Sequence, residues 1–251
     1  MRFARESFIV FRRQLRMNLR NPAWVIIGAL QPILYLLLFG PLLEPLVSQF
    51  GEQNAYTFFV PGLLVQLGMF GAFFAGFSLI GEWREGVIEA ERVTPASRTA
   101  LLVGRLARDE LQLLVQAVIL VVLGYLMGMD ASFGGMVLGV LLTILIGGAC
   151  AAASNALALT TKSEDVMAPV INMVMMPVLL LSGILLPMTI GPDWLQSVSD
   201  FMPIRHVVDA VRGSFMGDFG TGDLMAGTLW SLLLFAVALW WGTRTFRKEN
   251  A

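Results

Sequence analysis

Apolar positions fall into six long uncharged runs, near residues 23–43, 56–81, 110–129, 134–161, 166–188 and 225–243. Each approaches the ~20 residues that, at 1.5 Å rise apiece, cross a ~30 Å hydrocarbon core. The stretches between them are patterned too. In residues 2–20, Arg2, Arg5, Arg12, Arg13, Arg16 and Arg20 share an arc of roughly 100° on a helical wheel, with Phe8, Phe11, Leu15 and Leu19 beside it. That pattern predicts an amphipathic helix lying in a membrane interface and bending into the first span at Asn21-Pro22; a basic anchor that only sets topology fits it as well. Residues 82–98 interleave charges of both signs, with breaks at Gly86 and Thr94-Pro95, and predict a short charged helix. Such a helix suits docking to a soluble partner through complementary charges, or a solvated connector. In residues 189–224, Trp194, Leu195, Val198 and Phe201 recur at helical spacing, while Arg205, Asp209 and Arg212 stand one turn apart and can pair.

Composition excludes an ordinary soluble domain: 57% of residues are hydrophobic and 14% charged, against about 25% charged in a typical one. The first run outlasts the ~7–15 apolar residues of a secretory signal and reads as a retained span. Cys150 is the one cysteine, so no intrachain disulfide forms, and with a single histidine no Cys/His metal centre is expected. The net charge of −1 says little, but its distribution orients the chain. Fifteen of the 17 basic residues lie on the face shared by both termini when six spans are drawn; only Arg205 and Arg212 lie opposite. Basic residues favour the cytoplasm, which predicts cytoplasmic termini. The expected fold is an all-α polytopic membrane protein, one domain over residues 1–251 with six transmembrane helices.

Polar side chains inside the runs are few. Gln66, Gln112, Gln116, Asn155 and Asn172 are candidates for lining a path, with interhelical hydrogen bonding as the alternative; Gln112 and Gln116 share a helix face. Arg105, Arg108, Asp109 and Glu110 stand where the third run begins, and an ion-pair network at the inner mouth would satisfy them. Small residues four apart, as in Gly135/Gly139 and Gly147/Ala151, allow close helix approach. Pro32, Pro61, Pro169 and Pro177 are candidate kinks. No G-x-S-x-G elbow accompanies His206, so a hydrolase is not indicated.

The order of Phe59-Val60-Pro61-Gly62, Glu82, Arg84-Glu85-Gly86, Thr94-Pro95-Ala96-Ser97-Arg98 and Leu102-Val103-Gly104-Arg105 resembles the membrane subunit of type-2 ABC exporters of the daunorubicin-resistance and nodulation-factor kind. Leu181-Ser182-Gly183-Ile184-Leu185-Leu186-Pro187, Pro203-Ile204-Arg205-His206 and Val208-Asp209-Ala210-Val211-Arg212-Gly213 continue the likeness over the whole chain. The resemblance implies an N-terminal interfacial helix (1–21), a cytoplasmic coupling helix within 82–98, and short external helices within 189–224. It implies a permease moving amphipathic or lipid-like compounds out of the cell across the inner membrane, working as a homodimer among membrane lipids with a separate ABC ATPase. Glu82, Arg84, Glu85, Glu89 and Arg92 would make the ATPase contact. The chain carries no G-x-x-x-x-G-K-[ST] run, so ATP and Mg are expected on the partner and no cofactor on this chain. No nucleic-acid partner is expected. A polysaccharide exporter is the neighbouring alternative, and a channel or secondary transporter the one from another class.

Overall fold

The computed structural model describes residues 2–20, 23–47, 54–92, 97–185 and 188–249. The expected bend at Asn21-Pro22 and the break at Thr94-Pro95 lie outside them. The described residues form eleven α-helices with no strand among them. These are α1 (Arg2–Arg20), α2 (Ala23–Val47), α3 (Ala55–Phe73), α4 (Ala75–Arg84), α5 (Val87–Arg92), α6 (Arg98–Leu126), α7 (Phe133–Thr161), α8 (Glu164–Leu181), α9 (Asp193–Asp200), α10 (Pro203–Met216) and α11 (Gly222–Glu249).

Five stretches among the described residues are long and apolar enough to cross a membrane: Ala55–Arg84, Thr99–Leu126, Phe133–Thr161, Glu164–Leu181 and Gly222–Phe246. In α2 the described apolar stretch is the shorter Gly28–Leu42. The third run differs from its expected start at 110, because the helix that carries it begins at Arg98. Ser97 caps that helix by accepting from the Ala100 amide at 3.2 Å, and its own amide donates to Glu6 Oε2 at 2.9 Å. A cap of this kind stabilises by about 1 kcal/mol, and here it also ties α6 to α1.

α3 with α4, and α7, make the centre of the bundle: 67% and 61% of their most apolar stretches are buried, against 11% for α8 and 17% for α11. Small residues make the centre possible. A Cβ on Gly68 would sit 3.0 Å from the Thr143 carbonyl oxygen, and one on Gly76 would sit 2.6 Å from that of Ser154. The α3–α4 span breaks at Phe74, not at Pro61, and α8 likewise runs on through Pro169 and Pro177. Ser154 of α7 holds the break: its hydroxyl donates to the Phe73 carbonyl at 2.6 Å and accepts from the Gly76 amide at 3.1 Å. The two backbone groups freed by the break therefore find one side chain between them.

At one end of the bundle, α3 meets the turn after α6: Asn54 donates to the Gly128 carbonyl and Thr57 Oγ1 accepts from the Asp130 amide at 3.1 Å. There α10 is set into the bundle against α3, α7 and α11, with Val207, Val208, Ala210, Val211 and Phe215 buried. Gly217, at φ +88°, ends it in the left-handed conformation that glycine adopts without strain. The opposite end carries α1, α4, α5 and the first turns of α6.

Candidate functional site: a charged helix junction and a polar pocket

Gly86, at φ +74°, turns the chain between α4 and α5, and the resulting corner divides its charges into two sets. Arg84, Glu85 and Glu89 are exposed, whereas Glu82 and Glu91 are buried. Both buried carboxylates converge on Arg105 of α6. Its Nη2 donates to Glu82 Oε2 at 2.7 Å and to Glu91 Oε2 at 2.8 Å. The guanidinium also lies 5.9 Å from the centre of the Phe246 ring of α11.

α1 completes the junction through a face that the Arg and Phe pattern did not announce. Gln14 donates to Glu82 Oε1 at 2.7 Å, Arg13 pairs with Glu91 at 3.0 Å, and Asn18 donates to Gln112 Oε1 at 3.0 Å. Gly104 lets α1 approach so closely, since a Cβ there would stand 2.7 Å from Val10 Cβ and 2.8 Å from the Ser7 carbonyl oxygen. Removing one partner of a buried pair leaves an uncompensated charge, at a cost of about 3–5 kcal/mol, so the junction holds α1, α4, α5 and α6 as one unit. It reaches α8 and the end of α7 as well: Arg84 pairs with Glu164 at 2.9 Å, and Nζ of Lys162, the residue after α7, lies 6.0 Å from the Trp83 ring centre.

Burial takes Glu82 out of any docking surface; it was expected among the ATPase contacts and faces α1 and α6 instead. Arg84, Glu85 and Glu89 remain available to solvent. Arg92 ends α5, and its side chain lies outside the described residues. The four ionisable groups grouped on α6 do not form one network. Arg105 pairs with Glu82 and Glu91, while Arg108 pairs with Asp109 at 3.0 Å and donates to Asn18 at 3.4 Å. Glu110 has no ion-pair partner among the described residues.

Asp109 and Glu110 lie three turns into α6, which begins at Arg98. With Gln112, Leu113 and Gln116 of α6 they line a small cavity of about 20 Å³, in part open, whose other wall is Gly71 and Ala72 of α3 and Gly147 and Ala151 of α7. Gly147 is the midpoint of Phe133–Thr161 and Gly71 lies close to that of Ala55–Arg84. The pocket is therefore level with the middle of the two central spans. α6 begins twelve residues earlier than its apolar run, so these residues lie within the helix and not at its start. Of the other path candidates, Gln66 and Asn155 are buried outside this pocket, and Asn172 is exposed and donates to the Ala168 carbonyl of its own helix at 3.0 Å.

At the far end, Arg212 places its guanidinium 3.8 Å from the Phe58 ring centre and donates to the Gly183 carbonyl at 3.1 Å. Asp209 lies between Arg205 at 3.5 Å and Arg212 at 3.6 Å, as the one-turn spacing anticipates. Burial raises the Asp209 pKa above the ordinary carboxylate value, against the opposing pull of Arg212 and Arg205. His206 stacks on Trp230, and its Nε2 lies 3.0 Å from the Asp200 carbonyl oxygen. Trp194 and Val198 of α9 and its C-cap Phe201 are exposed, whereas Ser199 is buried and donates to the Leu181 carbonyl.

A bundle of apolar membrane-length helices, with one end knitted by buried ion pairs and a small polar cavity between its central helices, defines a polytopic membrane protein. The ABC-2 type transporter family profile matches residues 5–216, and the chain belongs to that family as a membrane permease of an ABC exporter. It is 28% identical over 232 residues to daunorubicin resistance ABC transporter permease protein DrrB1 of Streptomyces coeruleorubidus, covering 92% of this chain and 82% of that one. It is 26% identical over 239 residues to the putative transport permease ycf38 of Cyanophora paradoxa, covering 94% and 81%. Against the probable multidrug ABC transporter permease YbhR of Escherichia coli K12, identity is 26% over 179 residues, covering 70% and 48%.

Proposed function

We propose that this chain is the membrane subunit of an ATP-driven exporter of amphipathic or lipid-like compounds. Two copies and a separate ABC ATPase dimer make the working unit, with ATP and Mg on the ATPase and both permease termini in the cytoplasm. α2 supplies the sixth span, α1 lies along the inner membrane surface, and α9 and α10 are the external helices. The ATPase docks on Arg84, Glu85 and Glu89, and Arg92, which ends α5, is a further candidate contact.

One observation carries the reading: the exposed charges of α4 and α5 are backed by Glu82 and Glu91, which are locked to Arg105 on α6. Displacement of this corner on nucleotide binding would move α6, whose next turn walls the pocket, and shift the bundle between two packings. The basic distribution supports the orientation, and the sparse burial of α8 supports an apolar face for lipid or a second copy. A relative named for daunorubicin resistance favours amphipathic cargo over polysaccharide. The test is co-purification of the ATPase with the permease. Glu85→Arg/Glu89→Arg is expected to lower recovered ATPase at least tenfold, and undiminished recovery contradicts the assignment. For topology, a cysteine at Ser197 in a Cys150→Ala background is expected to label from outside the cell; labelling from inside alone overturns it.

A further inference from the structure

α1 has three sides. Ser7, Val10, Gln14 and Asn18 make the docked one: Gly104 of α6 abuts Val10 and the Ser7 carbonyl oxygen, while Gln14 and Asn18 bond to Glu82 and Gln112. At about 100° per residue, Arg5, Arg12 and Arg16 point directly away from that side, and Phe8 and Leu19 lie on the flank between. All five are exposed. Arg13 pairs with Glu91, whereas Arg5, Arg12 and Arg16 have no ion-pair partner among the described residues. Two markers give the depth of this helix. Leu113 of α6 packs on Gly147, the midpoint of α7, and Gly104 precedes it by about 14 Å of helix, close to half of a ~30 Å hydrocarbon core. On α11, a Cβ on Gly242 would stand 3.4 Å from Leu102 Cδ2, and its neighbours Trp240 and Trp241 are exposed. Tryptophan gathers at membrane–water interfaces, so α1 docks on α6 at headgroup depth.

We infer that the outer face of α1 binds anionic phospholipids, with Arg5, Arg12 and Arg16 taking the headgroup phosphates and Phe8 and Leu19 entering among the acyl chains. A guanidinium donates two parallel N–H groups to phosphate oxygens. An anionic headgroup leaves the phosphate charge for the row to meet, whereas a zwitterionic one brings its own cation beside it. A soluble acidic partner would meet the same charges but leave Phe8 and Leu19 in water. Bound lipid also reaches the Arg105 junction, because the docked side of the same helix holds Glu82 through Gln14, and Arg13 holds Glu91. The inference rests on the exporter reading for the leaflet, the cytoplasmic one, and adds a lipid partner to it.

The test is equilibrium binding of fluorescent phosphatidylglycerol to the purified permease in dodecylmaltoside micelles, with phosphatidylcholine of the same chains and fluorophore as the matched probe. Wild type is expected to bind phosphatidylglycerol at least about tenfold more tightly, and about tenfold more salt to shrink that preference. Arg5→Gln/Arg12→Gln/Arg16→Gln is expected to reduce it to about twofold or less, and the corresponding triple Lys variant, which keeps the charges, to retain most of it. Should the triple Gln variant fail to fold, Arg12→Gln and Arg16→Gln singly are each expected to weaken phosphatidylglycerol binding about threefold. Equal affinity of wild type for the two probes, or an unchanged preference in the Gln variants, overturns the inference. So does a triple Gln variant that loses the ATPase while keeping its lipid preference, since the face would then dock a protein. Wild-type ATPase co-purification separates the two readings. Preference for phosphatidylglycerol with no ATPase recovered sinks the exporter assignment alone, whereas ATPase recovered without that preference sinks this inference alone.

Discussion

Arg105 and Glu110 stand little more than one turn apart on α6, and their surroundings are opposite in kind. Arg105 is met by two carboxylates, which are met in turn by Gln14 and Arg13. Glu110 faces a pocket with an oxygen unpartnered. Both are ionisable groups taken out of water, so the difference lies in whether the chain supplies the partner itself. Where it does, four helices are locked together; where it does not, a carboxylate oxygen is left unpartnered. The two sites share one helix, α6, which is the link the proposed coupling requires.

The largest effect is expected from breaking the Arg105 ion pairs on one side. Arg105→Leu leaves Glu82 and Glu91 buried and facing each other, and should lower stability by about 3–5 kcal/mol, read by thermal unfolding in detergent. Arg105→Leu/Glu82→Leu/Glu91→Leu removes the whole triad and should recover most of that loss, since apolar replacement of buried pairs is often neutral. A triple variant as unstable as the single one breaks the comparison. Next, Gly104→Leu should cost about 1–3 kcal/mol by overpacking against Val10 and should expose α1 to protease. Ser154→Ala strands the Phe73 carbonyl and the Gly76 amide, at about 1–3 kcal/mol, again read by thermal unfolding.

Exposed pairs sharpen the contrast from the other side. Arg84→Ala removes the contact with Glu164, both side chains about half exposed, and should change stability by about 0–1 kcal/mol. Asp209 should have the smallest effect. Its folded pKa is raised, so the folded state takes up a proton more readily than the unfolded chain. Stability should therefore rise as pH falls through the raised value and level off below the ordinary carboxylate value. Asp209→Asn should flatten that part of the profile in thermal unfolding scans, and an unflattened profile contradicts the assignment.

Much of this architecture is legible in the sequence, because span-length apolar runs and amphipathic spacing are local signals. Trp194, Val198 and Phe201 fall on one face as their spacing demands, and Ser97 caps α6 as serine before a helical run should. The junction is less legible. Gln14, Asn18, Glu6 and Glu91 belong to it through partners 68, 94, 91 and 14 residues away, and an uncharged polar residue within an Arg-rich helix carries no local mark of such a bond. A stripe of Ser7, Val10, Gln14 and Asn18 at spacings of three and four is the signal that was present. Counting charges also hid the start of α6, since a helix that passes through four ionisable residues looks like a rim until their partners are known. Glu82 and Glu85 are equally charged in sequence, and only the packing of α4 against α1 and α6 turns one inward and leaves the other outside.

The central claim is that the Arg105 junction carries the motion of the docked corner into the bundle. It is tested most directly by the ATP-dependent change in reactivity of a cysteine at Ser197, in a Cys150→Ala background, with the permease and ATPase reconstituted together. The reactivity should change with ATP in the otherwise wild-type permease. It should not change in Arg105→Leu/Glu82→Leu/Glu91→Leu, although that variant still recovers the ATPase. An ATP-dependent change that persists at full size in the triple variant contradicts the account.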